Sequence, residues 1–184
     1  GGFDFATGIR LVQKRGQLMS EVVGGGMVAI LGLTPDAIQQ ALSESGFSEV
    51  DLANQNSAKQ TVIAGPKQQI EACAPALAAA GGKVIPLAVS GAFHSRQMKP
   101  VAEQYRNFLE DVSFGDLKTP VIANVTAKPY VQEEIADTLA RQIASPVLWS
   151  DTVAYLLDQA DPEFEEIGPG KVLSGLIRQI KAGR

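Results

Sequence analysis

Val84-Ile-Pro-Leu-Ala-Val89, followed by Ser90-Gly-Ala-Phe-His-Ser-Arg-Gln-Met98, is the stretch on which the reading of the chain turns. Its first half is an apolar run that predicts a strand. Beyond it, Met98, Val101, Ala102, Tyr105, Phe108, Leu109 and Val112 recur at three- and four-residue spacing, which predicts an amphipathic helix with one buried face. His94, the single histidine of the chain, therefore stands in a strand-to-helix turn, where α/β proteins expose reactive groups. An imidazole titrates near neutrality and moves a proton in either direction, so His94 is the first candidate for a general base. A structural histidine is the plainer alternative, and the turn context favours the base.

Composition sets the limits. A chain of 184 residues that is 45% hydrophobic buries enough surface for one domain, or a domain with a small lobe. No run of about 18 uninterrupted apolar residues occurs, so no membrane span is expected. The opening Gly1-Gly-Phe-Asp-Phe5 has no basic region followed by an apolar one, so no signal peptide is expected. One cysteine leaves no disulfide framework, which favours a reducing, cytoplasmic setting. The net charge of −4 argues against general nucleic-acid binding. One His and one Cys make no ordinary zinc set, so no metal is expected.

The phase of the first helix, from about Phe3 to Val23, singles out one charge. Ile9, Val12, Gly16, Met19 and Val23 share a face, Leu11, Leu18 and Val22 widen it, and Arg15 falls inside the apolar arc. A guanidinium there needs an anion, and its planar fork suits a two-oxygen group. An internal ion pair, or a stem reaching to the rim, is the alternative.

Gly24-Gly-Gly26 opens a segment with its own rhythm. Strands are predicted at Met27–Leu31, Val50–Ala53, Gln60–Ala64 and Lys83–Val89. Helices are predicted after Thr34-Pro35 and after Pro66. That order, strand-helix-strand-strand-helix-strand, is the ferredoxin-like pattern. Residues 25–88 are therefore expected to form an α+β lobe inserted into a larger domain made of 1–24 and 89–184. Cys73 falls on the lobe's core face and reads as a small buried apolar group. Between the middle strands, Asn54-Gln-Asn-Ser-Ala-Lys-Gln60 reads either as hairpin-loop chemistry or as the lining of a polar cleft. Farther on, strands are predicted at Pro120–Val125 and Phe164–Ile167, and helices around Ile135–Ile143, Thr152–Leu157 and from Val172. The alternation implies a parallel sheet covered on both faces, though an incomplete one. Gly168-Pro-Gly-Lys171 matches neither the phosphate-loop nor the dinucleotide spacing and reads as a backbone turn.

These residues together resemble a family. Arg15-Gly-Gln-Leu-Met19, Gly26-Met-Val-Ala-Ile-Leu-Gly32, Asn54 to Gly65, Ser90 to Met98, Pro120 to Asn124, Gln142 with Pro146-Val-Leu-Trp149, and Ile167-Gly-Pro-Gly170 resemble the malonyl-CoA:acyl carrier protein transacylases in order along the chain. Val121-Ile-Ala-Asn-Val-Thr-Ala-Lys-Pro-Tyr130 resembles the stand-alone acyltransferases that serve polyketide synthases. The resemblance implies an α/β-hydrolase-like domain with the ferredoxin-like lobe inserted. It also implies transfer of malonyl from CoA to the phosphopantetheine thiol of an acyl carrier protein, by a Ser-His ping-pong route with no cofactor. In it, His94 moves the proton, the backbone carbonyl of Gln142 orients the imidazole, and Arg15 grips the free carboxylate. Phe93 corresponds to a preference for malonyl over methyl-branched units. Asn54 and Asn56 correspond to the amide loop at the cleft, and Ser90 and Met19 belong to the substrate-binding set.

One departure is large: no Gly-x-Ser-x-Gly elbow occurs in the 184 residues. In the family the elbow and its oxyanion-hole amides lie upstream of the helix with which this sequence opens. The expectation is that the serine comes from an upstream segment or a separate chain. A non-catalytic module binding a carrier protein or synthase is the alternative. An acyl-thioester hydrolase of the same fold is a third, disfavoured by the Arg15 clamp.

Overall fold

The computed structural model describes residues 1–159 and 162–184. It is a mixed α/β structure. Four strands form one antiparallel sheet: β1 (Gly25–Leu31), β2 (Asp51–Ser57), β3 (Gln60–Pro66) and β4 (Lys83–Pro86), in the order β2-β3-β1-β4. Helices α2 (Pro35–Glu44) and α3 (Lys67–Ala79) are the two crossovers. Thr34 caps α2 by accepting the Ala37 N–H, with Pro35 pre-set at the first helical position.

Central strand β1 is apolar throughout because both its faces are covered. Val28 and Ile30 join Ile38, Leu42, Ile63, Cys73 and Leu77 in a core under the two helices. Cys73 is fully buried there, and burial pushes its thiol pKa up, as expected of a structural thiol. On the opposite face Met27 and Ala29 meet Ala53, Val62, Ala64 and Ala92, with Phe93 packed against them. Small residues on that face let the chain after β4 lie close on the sheet. At Gly25 a Cβ would stand 2.1 Å from the Ala92 amide nitrogen, so only glycine fits.

The remaining residues are mostly helical. Helix α1 (Phe5–Ser20) starts at Asp4, whose carboxylate accepts the Thr7 N–H at 2.7 Å. It packs with α4 (Lys99–Leu109) and α5 (Ile135–Arg141) around Leu11, Leu18, Met19, Met98, Tyr105, Leu109 and Ile143. A two-strand hairpin joins β5 (Ile122–Ala123) to β6 (Lys128–Pro129). Helices α6 (Trp149–Gln159) and α7 (Val172–Ala182) meet at Val153, Ile177 and Ile180.

Several sequence expectations are corrected. No parallel sheet forms among the described residues; the parallel pairing there is one bridge, Asn54 with Val147. The strand expected at Pro120–Val125 is two residues long. Phe164–Ile167 forms no strand, because no neighbouring strand is there to pair with and Glu166 is engaged elsewhere. Its carboxylate caps α7, accepting the Leu173 and Ser174 N–H groups at 3.1 and 2.9 Å. Strand β4 stops at Pro86, so Leu87–Val89 is an irregular lead into the His94 turn. The amide run is not a hairpin loop: Asn54, Gln55 and Asn56 lie within β2, which carries irregularities at Leu52/Asn54 and Gln55/Ser57. Finally, the buried stripe of α1 is Leu11, Leu18 and Met19 with half-buried Val22, while Ile9, Val12 and Val23 are exposed. The Leu11 side faces α4, where the Tyr105 hydroxyl donates to the Leu11 carbonyl at 3.2 Å.

Candidate active site

His94 is held by the end of a helix. Its backbone sits in the left-handed region, φ +60°, which costs a non-glycine residue about 1–2 kcal/mol and persists only where the surroundings impose it. Two consecutive carbonyls do so. The His94 N–H donates to the Ile143 carbonyl at 3.3 Å, and the ring Nδ1 lies 2.9 Å from the Gln142 carbonyl oxygen. Both carbonyls follow α5, among the groups that a helix terminus leaves without intrahelical partners. The turn is braced on its other side by Ser95, whose hydroxyl donates to the Ala92 carbonyl at 2.6 Å and accepts the Gln97 N–H at 3.3 Å.

That geometry decides the chemistry of the ring. A carbonyl only accepts, so Nδ1 carries the proton and Nε2 presents a lone pair. Burial lowers the His94 pKa from its ordinary 6.5, the Arg15 charge adds to the lowering, and the Gln142 and Ser145 backbone opposes it. The imidazole is therefore neutral at pH 7. Once it takes a proton at Nε2, the Gln142 carbonyl and the negative end of α5 face the new charge.

Arg15 stands in line with Leu11, Leu18 and Val22 at helical spacing, on the half-buried stripe of α1. Among the described residues it makes no ion pair. Burial lowers its pKa, and the neighbouring Tyr105 and Tyr130 hydroxyls act the other way. Burial in turn raises both phenol pKa values, so at neutral pH both keep their protons and can donate. Tyr130 donates to Gln142 Oε1 at 3.1 Å. The cluster is thus a neutral base, a desolvated cation and two phenols.

The other expected residues scatter. Phe93 is half-buried between the α1/α4/α5 core and the small-residue face of the sheet. Asn54 and Asn56 are half-buried on β2, which is tied to the segment after Gln142: Val147 N–H donates to the Ala53 carbonyl and Gln55 N–H to the Val147 carbonyl, each at 2.9 Å. The hollow at His94, about 350 Å³, is lined by Asp51, Leu52, Gln55, Arg96 and Pro146 among others, so Gln55 rather than either asparagine reaches it. Ser90 is exposed and lines a separate hollow of about 820 Å³ beside Gly24–Gly26. Met19 is buried in the α1/α4/α5 core. Two features went unread in the sequence. Tyr130 stands in the sequence only as the last residue of the 121–130 stretch, and the Asp51 carboxylate, which receives the Arg96 backbone N–H at 2.8 Å and its guanidinium at 2.5 Å, pins the turn to β2. Nothing in the spacing of either pair signals the contact.

The chain is similar to known proteins over nearly its whole length. The chain is 46% identical over 183 residues to a polyketide-biosynthesis malonyl CoA-acyl carrier protein transacylase of Bacillus velezensis, covering 98% of this chain and 63% of that protein. The crystal structure of a malonyl CoA-acyl carrier protein transacylase from Burkholderia pseudomallei superposes with a TM-score of 0.97 at 37% identity, over 100% of this chain and 65% of that one. A malonyl-transacylase solved in complex with its type II polyketide-synthase acyl-carrier protein gives 0.93 at 41% identity, over 98% and 60%. The chain spans less than two thirds of the length of each of these. Residues 4–181 match the acyl transferase domain, and the chain belongs to that family.

Proposed function

We propose that these residues are the base-and-clamp part of a malonyl-CoA:acyl carrier protein transacylase. The observation that carries the reading is the Nδ1 contact to the Gln142 carbonyl, which leaves Nε2 of a neutral His94 free to accept a proton within the electrostatic reach of Arg15, a cation that makes no ion pair among the described residues. In the proposed reaction His94 takes the proton of a serine hydroxyl as that oxygen attacks the malonyl thioester. The proton passes to the departing CoA sulfur and leaves a malonyl ester on the serine. The carrier's phosphopantetheine thiol then gives its proton to His94, attacks the ester, and the serine oxygen recovers the proton. Malonyl-CoA is substrate, phosphopantetheine belongs to the carrier, and the reading calls for no metal or resident cofactor.

Arg15 binds the free carboxylate and so selects dicarboxylic acyl groups. Phe93 narrows the site against methyl-branched units, and on the β2 side the polar wall is Gln55, with Asn54 and Asn56 flanking it on the strand. Ser90 belongs to the outer cleft. Met19, one turn beyond Arg15, packs behind the clamp. We read residues 25–88 as a ferredoxin-like lobe, and 1–24 with 89–184 as part of an α/β-hydrolase-like domain working in the cytoplasm. The serine comes from outside the 184 residues, as a preceding segment or a second chain. The α1 face supports this: Phe5, Ile9 and Val12, at helical spacing, are 85, 52 and 71% exposed, an apolar strip suited to burial against further polypeptide.

The test is reconstitution with the serine-bearing part of a transacylase, reading malonyl on the carrier by intact mass. Transfer is expected, and His94→Ala should cut it about 10²- to 10⁴-fold, the usual contribution of a positioned base. Full transfer by His94→Ala would refute the reading. The lack of a Gly-x-Ser-x-Gly elbow favours a second reading, a carrier-binding module without chemistry. Carrier binding with no acylation in the reconstituted protein would support it.

A further inference from the structure

Gln142 is held at both ends. Its backbone carbonyl faces His94 Nδ1 at 2.9 Å, and its side-chain Oε1 accepts the Tyr130 hydroxyl at 3.1 Å. Tyr130 is itself anchored, its N–H donating to the Val121 carbonyl at 2.9 Å across the base of the β5–β6 hairpin. Gln142 is the residue at which α5 ends, and the last turn of a helix frays unless its groups are engaged. Without the phenol, the Gln142 side chain loses this hydrogen bond, and the direction of its carbonyl rests on the helix-end contacts alone, Gln142 N–H to the Thr138 carbonyl at 3.0 Å and Ile143 N–H to the Ala140 carbonyl at 3.2 Å. The second phenol of the cluster, Tyr105, donates to the Leu11 carbonyl instead and has no part in this chain of contacts.

We infer that Tyr130 is a positioning residue: through Gln142 it keeps the proton of His94 on Nδ1 and the lone pair on Nε2, toward the reacting group. The inference rests on the reading of His94 as the base. It gives the β5–β6 hairpin a task in the reaction, since the hairpin carries Tyr130 to the end of α5. Tyr130 also lies within the electrostatic reach of Arg15.

The single histidine makes the test direct. Two-bond ¹H–¹⁵N correlation spectra of the protein at a pH where the ring is neutral report which nitrogen carries the proton. In the parent the Nδ1–H tautomer is expected to dominate. Tyr130→Phe removes the hydroxyl alone and should shift the tautomer ratio toward Nε2–H by about two- to tenfold, the range that one net hydrogen bond supports. Gln142→Met, which keeps the length and loses the acceptor, should give the same shift and serves if the tyrosine variant folds poorly. Tyr105→Phe should leave the ratio unchanged. An unchanged ratio in both Tyr130→Phe and Gln142→Met, or an equal shift in Tyr105→Phe, would overturn the inference. The readout does not depend on turnover: loss of acyl transfer by a variant with the parental tautomer ratio would count against this inference, whereas a base-independent transfer would count against the proposed function.

Discussion

The sheet-bearing segment and the helical remainder solve the problem of burial in opposite ways. In residues 25–88, Ile30, Ile38, Leu42, Ile63, Cys73 and Leu77 are all fully buried between one sheet and its two helices. In the remainder, Phe5, Val12, Ile167 and Val172 stand 70% exposed or more. The first region closes its own core. The second holds the candidate site on a turn, a helix end and a hairpin, and leaves apolar faces open. The difference teaches where each region is left open: the sheet supplies the firm wall against which Ala92 and Phe93 rest, and the proposed base and clamp stand at the edge of the α1/α4/α5 core around Leu11, Met98, Tyr105 and Ile143, beside an apolar face of α1 that nothing covers among the described residues.

That contrast can be broken by mutation. The largest effect is expected from Leu42→Ala, which empties a filled site in the closed core and should lower unfolding stability by about 2–5 kcal/mol in a denaturant titration. Glu166→Ala removes the cap of α7 in the open region and should lower stability in the same measurement by clearly less than Leu42→Ala. Phe5→Ser should change the stability of the chain by no more than about 0.5 kcal/mol, because the ring is 85% exposed. A large loss in Phe5→Ser, or none in Leu42→Ala, would erase the distinction.

The acid limb of stability sharpens it further. The folded pKa of His94 lies below its ordinary 6.5, with burial as the main cause. Between the two values the unfolded chain binds a proton that the folded chain refuses. His94 therefore costs nothing above pH 6.5, and stability falls as the pH drops through 6.5 toward the folded value. His94→Gln should flatten this limb when unfolding midpoints are compared between about pH 5 and 7. A parent whose stability rises as the pH falls through that window would contradict the stated environment.

The closed region was largely legible in the sequence because its signals are local: an apolar run for β1, Thr34-Pro35 for the α2 start, and the spacing of Ile70, Cys73 and Leu77 for α3. The open region was legible only in part. Strands at 120–125 and 164–167 were expected from composition, yet a strand exists only where a neighbour pairs with it. The phase of α1 located Arg15 but not which side of the helix is covered, since α4 decides that. His94 was visible as a lone imidazole in a turn. Its left-handed backbone and its tie to a helix end 48 residues away come from tertiary packing, as does the Tyr130 contact, and neither leaves a mark in spacing.

The most direct test of the account concerns the pairing of base and clamp. In the reconstituted protein, the rate of carrier loading is measured by intact mass for malonyl-CoA and acetyl-CoA, with Arg15 intact and with Arg15→Ala. The account predicts that Arg15→Ala costs malonyl loading about 30-fold or more, as expected for a lost partner of a desolvated charge, and spares acetyl loading. Equal losses for both acyl groups, or undiminished malonyl loading, would contradict it.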